Sequence, residues 1–227
     1  MEKGLFIAFE GGEGAGKTSL IQNVKELFEA YGREVVVIRE PGGTEYAEKL
    51  RQVYFETEGL SGESAALLMN AGRVDNIEKI INPALADGKV VIADRFSGSS
   101  LVYQGLRKGE YDEVSRITKH IPMVSIFVDV HPEVGLQRIA DNNRETNRLD
   151  LMPLEQHQKI YFGFKQLSVL RPDIYWDVEL DGHQTQDELR TIMQDLYIPN
   201  INAWLDMGME TEEIKHALRE LNALVFA

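Results

Sequence analysis

The chain has no cysteine, which excludes disulfide scaffolds, cysteine-ligated zinc and thiol catalysis and makes a reducing cytoplasm the expected location. Long apolar runs are missing too. Nowhere do roughly 18 apolar residues follow one another, and the run behind Met1-Glu2-Lys3-Gly4 stops at Glu10, so neither a membrane span nor an export signal is expected. Positive charge is scarce: 24 Lys and Arg face 37 Asp and Glu, a net charge of -13 over 227 residues. That balance opposes nonspecific contact with a nucleic acid polymer or an anionic membrane, so an anionic ligand must find a local basic site. The five histidines show no metal-ligand spacing and no Ser-His-Asp arrangement emerges, which sets zinc and hydrolase chemistry aside. What is present, 43% hydrophobic and 27% charged residues with 7 Pro against 19 Gly, is the composition of a globular protein able to build a sizeable core.

Short apolar runs alternate with stretches of helical period: Leu5 to Phe9, Val35 to Ile38, Val90 to Ala93, Val124 to Val130 and, more weakly, Tyr175 to Leu180. Between the first two, Leu20, Val24, Leu27, Phe28 and Tyr31 share one helical face, and Gly32 suits a C-terminal cap. The repeated βαβ pattern predicts an α/β fold, a five-stranded, mostly parallel sheet flanked by helices, with ligands at the carboxyl ends of its strands. Asp141 to Asp150 is polar and reads as a mobile excursion. The pattern breaks at Pro199-Asn200, after which Ile214, Ala217, Leu218, Leu221 and Val225 recur at helical spacing. The expected division is a body over residues 1–196, with a lid at about 141–150, and a helical C-terminal extension over 197–227.

Gly11-Gly12-Glu13-Gly14-Ala15-Gly16-Lys17-Thr18 fits G-x-x-x-x-G-K-[ST] and lies between a predicted strand and a predicted helix, the context that the phosphate-binding loop requires. Glycines let successive N–H groups face the phosphates, and the helix behind adds its positive end. Lys17 would reach the β and γ phosphates of ATP, and Thr18 would ligate Mg²⁺. Such a loop serves kinases, motors and switches alike, so the acceptor side must decide. Arg39-Glu40-Pro41-Gly42-Gly43-Thr44 ends the second predicted strand, Asp94-Arg95-Phe96 ends the third, and Ser99 to Gly105 follows.

Together these stretches resemble the bacterial thymidylate kinases of the P-loop nucleoside monophosphate kinase group. The family pattern E-G-x-E-G-x-G-K-T matches from Glu10 to Thr18, R-E-P-G-G-T from Arg39 to Thr44 and D-R-[YF]-x-x-S-S-x-x-Y-Q-G from Asp94 to Gly105. N-P-A-L-x-x-G-K-V-V matches from Asn82 to Val91 and N-R-L-D from Asn147 to Asp150. The resemblance covers about residues 5 to 195. It implies ATP-dependent phosphorylation of dTMP to dTDP with Mg²⁺ in the cytoplasm, by a homodimer, with no nucleic acid polymer and no membrane as partner.

The resemblance also implies roles. Arg95 would clamp the phosphates of donor and acceptor; Asp94 either holds the Mg²⁺ shell through water or orients Arg95. Arg39 and Glu40 belong to the acceptor site, Arg51 to its phosphate and Arg73 to the thymine edge. Taken alone, helical arginines are usually solvated. Glu13 would meet the sugar 3′-hydroxyl, and Tyr103 would crowd a 2′-hydroxyl unless it simply packs in the core. Ser100 and Gln104 can read a base edge. The loop carries Glu13-Gly14 and no arginine, so the catalytic cations are expected to be Lys17, Arg95 and the lid's Arg144 and Arg148. Met69 stands where the family usually has the Phe that stacks on thymine, which offers polarisable sulfur but no π face. Ala47 replaces a usual Gly, and Gly72 and Gly98 also depart from the pattern; these read as packing changes. Two alternatives stay open: a kinase for another deoxynucleoside monophosphate, and a nucleotide-binding regulatory protein with a vestigial acceptor site.

Overall fold

A computed structural model describes residues 4–120, 122–142, 146–170 and 176–225; Arg144 lies outside them. At its centre is β1 (Leu5–Glu10), buried along its whole length. β3 (Val90–Asp94) and β4 (Val124–Asp129) flank it, β2 (Val35–Arg39) and β5 (Val178–Asp181) form the edges, and every pairing is parallel in the order β2-β3-β1-β4-β5. Because helices cover both faces of a parallel sheet, its inner strands read as unbroken apolar runs rather than as alternation. The register aligns Phe9 with Asp94 and Asp94 with Arg39, so the loop after β1 and the motif stretches after β2 and β3 leave the sheet together at its carboxyl end.

β5 begins later than its apolar run suggests. Asp177 instead closes on Ser125, accepting from its N–H at 2.8 Å and donating to its carbonyl at 2.9 Å, while Trp176 stacks on Phe127 with ring centroids 5.3 Å apart. Tyr175 lies outside the described residues.

The helices on the acceptor side are α2 (Glu45–Glu56), capped by Thr44, and α3 (Gly62–Asn76), capped by Ser61; the short helices α4 (Asn82–Ala86), α5 (Ser97–Ser100) and α6 (Tyr111–Ile117) follow along the chain. Two departures from the family pattern meet between them. A Cβ added at Gly72 would lie 3.2 Å from the Cβ of Ala47, so the methyl group gained at one position occupies room left at the other.

At the C-terminal end, Thr185 and Glu188 form a reciprocal capping box for α9 (Gln186–Ile192). The helix then passes through a π turn, Met193–Tyr197, directly into α10 (Ile198–Asp206), and α11 (Thr211–Val225) follows. Pro199 therefore does not break the helix; the wider turn just upstream accommodates a residue that cannot donate. A boundary at 196/197 cuts through this helical run. Tyr197, Ile198, Ile201, Leu205, Ile214 and Leu218 are buried in the same core cluster as Leu5 and Ile7 of β1 and Leu20 and Phe28 of α1 (Lys17–Ala30). Arg33, behind α1, donates from Nε to Asn202 Oδ1 at 3.1 Å. The C-terminal helices thus complete the sheet's second face instead of sitting on a finished body.

Candidate active site

The loop after β1 is shaped by close approach. A Cβ on Gly14, whose φ is 70°, would lie 2.0 Å from the carbonyl oxygen of Gly135 in α7 (Pro132–Asp141), so only glycine lets the loop seat against that helix. Gly16 is left-handed and gives α1 no side-chain cap, which leaves the helix's first N–H groups for an anion. Lys17 curls back, donating to the carbonyls of Gly11 at 3.1 Å and Gly12 at 2.8 Å. Burial, reinforced by Arg95 and opposed by Asp94, Glu13 and Glu10, lowers its pKa to about 8. Thr18 donates from Oγ1 to Asp94 Oδ2 at 3.0 Å.

Arg95 joins the loop to the acceptor side. It is the one described non-glycine residue with positive φ, 72°, held there by its N–H on the carbonyl of Phe9 at 2.9 Å. Its guanidinium donates to the carbonyl of Gly11 at 2.7 Å, to Glu13 Oε1 at 3.1 Å and to Ser99 Oγ at 3.3 Å, above the Tyr103 ring. Glu13 also accepts from the Tyr103 hydroxyl at 2.7 Å. Burial opposes ionisation of Glu13, yet Arg95, His157, Lys17 and Tyr103 together hold its pKa at about 2, so it is a carboxylate throughout the working pH range.

Arg73 is buried and almost fully committed: Nε to Glu40 at 2.8 Å, one terminal nitrogen to Ser100 Oγ at 2.9 Å, the other to Asn70 at 3.3 Å, the plane over the Phe96 ring. Burial pushes the Glu40 carboxyl up against the pull of Arg73 and Asn76, so the pair stands by mutual neutralisation in a dry site. Arg51 donates to the Pro41 carbonyl at 2.8 Å, Arg39 reaches Glu48 at 3.3 Å, and Gln104 donates to the Tyr54 hydroxyl at 3.3 Å. Met69 packs with Tyr54 and Ala65. Arg39, Arg51, Met69, Arg73 and Gln104, with Lys17, Thr18 and Asp94, line one cleft of about 650 Å³ that runs from α1 to the α2–α3 pair. That is room for two small ligands end to end.

The model of one family, thymidylate kinase, matches residues 9–176. The chain belongs to this family. Among proteins named thymidylate kinase, it is 41% identical over 201 residues to that of Oceanobacillus iheyensis, a match covering 85% of this chain and 87% of the relative. It is 39% identical over 208 residues to that of Shouchella clausii and 38% over 205 to that of Bacillus velezensis, covering 85% of this chain in both and 98% and 97% of those relatives. Membership of the thymidylate kinase family makes the chain a kinase, and it accounts for a cleft with one phosphate-binding loop and a second, arginine-lined half.

Besides Gly11 and Gly12 of the loop, Arg148 is expected at the site but does not line the cleft. Its guanidinium caps the end of α2, donating to the carbonyls of Thr57 at 2.8 Å and Tyr54 at 3.0 Å and stacking on the Tyr54 ring. Orphan carbonyls at a helix C-terminus attract a cation as phosphate does, so charge alone does not set its direction. The described end of the excursion is a tight turn, in which Asn147 N–H donates to Asp150 at 2.9 Å and Leu149 N–H to Asn147 at 2.8 Å. Three supporting residues were given no role from the sequence, although Glu10 opens one of the matched motifs. Asn76 clamps the loop after β2, donating to the Gly42 carbonyl at 2.8 Å and accepting from Thr44 N–H at 3.0 Å. Its spacing of three from Arg73 was the available signal, since such residues share a helix face. Glu10 accepts from the N–H groups of Phe96 and Ser99, each at 3.0 Å, and fixes the turn that carries Arg95. The third is His157, on the first turn of α8 (Leu154–Leu170). Among the described residues no group of His, Asp and Glu forms a metal cage, and no helix is long and apolar enough to cross a membrane.

Proposed function

We propose that the chain transfers the γ-phosphoryl group of ATP to the phosphate of dTMP, releasing ADP and dTDP. A phosphate oxygen of dTMP attacks the γ-phosphorus in line while the bond to the β-bridging oxygen breaks; the acceptor is already anionic near pH 7, so no general base is needed. The observation that carries this reading is Arg95, whose guanidinium joins Gly11 and Glu13 of the phosphate-binding loop to Ser99 and Tyr103 behind β3; there it would meet the phosphates of both substrates. Lys17 would hold the β and γ phosphates, Arg39 and Arg51 the acceptor phosphate, and Arg73, Ser100 and Gln104 the base. Glu13 would accept the 3′-hydroxyl, with Tyr103 against the sugar where a 2′-hydroxyl would crowd it. Thr18 and Asp94, a hydroxyl and a carboxylate, are the hard oxygen donors that suit Mg²⁺ held partly through water; when bound, the ion neutralises charge on the donor phosphates.

Met69 gives the second reading its footing, because a flexible thioether can adapt its shape to more than one base. Steady-state ADP release over a panel of nucleoside monophosphates separates the two. We expect dTMP to give the highest kcat/KM and its ribose counterpart to be much poorer; a better response to dCMP or dGMP would reassign the acceptor. Tight ATP binding without turnover would favour a regulatory protein.

The lowered pKa of Lys17 sets a pH dependence. Phosphates favour the ammonium form, so the bound pKa lies above the free value of about 8, and ATP binding takes up a proton once the free lysine has lost its own. Above that pH the Kd for ATP should rise by up to roughly tenfold per pH unit. Titration between about pH 7 and about pH 9.5 checks this, and a flat profile would overturn it.

A homodimer and a cytoplasmic location complete the proposal. Tyr46 and Val53 of α2 and Leu67 and Val74 of α3 are exposed at heptad spacing on neighbouring helices, an apolar face suited to helix packing between two copies. Sedimentation at twice the chain mass would support it, and a monomer at micromolar concentration would count against it.

A further inference from the structure

We infer that His157 is a positioning residue that aims Glu13 at the acceptor's 3′-hydroxyl, an inference that rests on the role proposed for Glu13. His157 is 4% exposed, and its Nδ1 lies 3.6 Å from Glu13 Oε2. Around it, beneath the loop, are the apolar side chains of Phe127, Val130, Ile160 and Phe164. Its Nε2 is buried without a hydrogen-bond partner.

Packing does not account for an imidazole here. Leucine would fill such a pocket without leaving a nitrogen unpaired, and an unpaired buried nitrogen carries a desolvation cost. The polar atom that His157 does face belongs to the Glu13 carboxylate, and the tautomer that serves this contact carries its proton on Nδ1.

The arrangement of the other partners shows what this contact adds. Arg95 at 3.1 Å holds Oε1, and Tyr103 at 2.7 Å bridges both oxygens; both residues follow β3. His157 approaches Oε2 from a different element, α8. With it, the carboxylate plane is fixed from two elements, and a lone pair stays directed into the cleft. Without it, rotation about the last side-chain bond is opposed from one element alone, and the acceptor hydroxyl meets an oxygen whose direction varies. Because α8 begins directly behind the Asn147–Asp150 turn, the same contact ties the base of the excursion to the phosphate-binding loop.

The test compares dTMP with its 3′-deoxy analogue as acceptors for the wild type, His157→Leu, His157→Asn and Glu13→Gln. For His157→Leu we expect KM for dTMP to rise roughly tenfold, as the hydrogen bond between Glu13 and the 3′-hydroxyl weakens, with a smaller change in kcat. KM for the 3′-deoxy analogue should stay constant, so discrimination between the two acceptors falls. His157→Asn, whose amide nitrogen can occupy the place of Nδ1, should recover most of that discrimination. The ratio is measured within each variant and is independent of the fraction folded. Equal losses on both acceptors would mean that His157 merely supports the fold and would overturn the inference. So would unchanged discrimination in His157→Leu alongside a collapse in Glu13→Gln. If Glu13→Gln itself keeps full discrimination, the role of Glu13 is wrong, and the inference falls with its premise.

Discussion

Removal of residues 197–227 is expected to leave a chain that does not unfold cooperatively and turns over no substrate. The segment contributes Tyr197, Ile198, Ile201, Leu205, Ile214 and Leu218 to the core, none more than 6% exposed. At about 1.5–3 kcal/mol for each large apolar side chain, the loss is on the order of 10 kcal/mol, comparable to the whole stability of about 5–15 kcal/mol typical of a domain. The cut also uncovers the packed face of α1, whose N-terminus carries the phosphate-binding motif, and strips Arg33 of its Asn202 partner. Calorimetry and circular dichroism should show no sharp thermal transition for the truncated chain. A transition within a few degrees of the full-length value, with intact turnover, would return these helices to the status of an appendage.

That expectation reverses what the amino-acid pattern suggested, and the reason is instructive. Ile214, Leu218 and Leu221 disclose an apolar helix face but not the surface that it covers, and Pro199-Asn200 reads as a break because the helical period carries no sign of a π turn. The parallel strands, by contrast, were legible as continuous apolar runs because burial on both faces leaves no polar alternation to confuse them. The phosphate-binding loop was legible for a different reason: tight backbone geometry admits few residue types, and glycine, lysine and threonine are written at fixed spacing. Direction is what charge does not encode. Arg148 was expected over the phosphates and lies on the carbonyls that end α2. Glu40 was read as an acceptor ligand, and in the structure its carboxylate is taken up by Arg73 and Asn76. His157 stands in no motif; a single histidine among helical residues gains meaning only when folding sets it behind Glu13.

Replacement of Arg95 by alanine should lower kcat by roughly 10³-fold or more, within the range known for arginines that stabilise a transferring phosphoryl group. As that group passes between donor and acceptor, charge spreads over its equatorial oxygens, and the cation that meets it must stand between the two phosphates. In the proposed reading Arg95 is that cation, anchored to the carbonyl of Gly11 and to Glu13, both on the phosphate-binding loop, with its backbone held at a φ of 72° that a non-glycine residue adopts only under constraint. A group fixed in advance needs no reorganisation at the moment of reaction, and for that reason it is worth more in the transition state than in the ground state. Arg148 differs in each respect. To reach the phosphates it would have to leave two carbonyls and an aromatic face, contacts worth together roughly 2–4 kcal/mol. Arg148→Ala should therefore act through α2, raising KM for dTMP several-fold while single-turnover transfer stays within about tenfold of wild type. Rapid-quench measurement of the transfer step separates the two sites. A larger loss of transfer rate in Arg148→Ala than in Arg95→Ala would place the catalytic cation in the excursion after all, and would require α2 to release it once both substrates are bound.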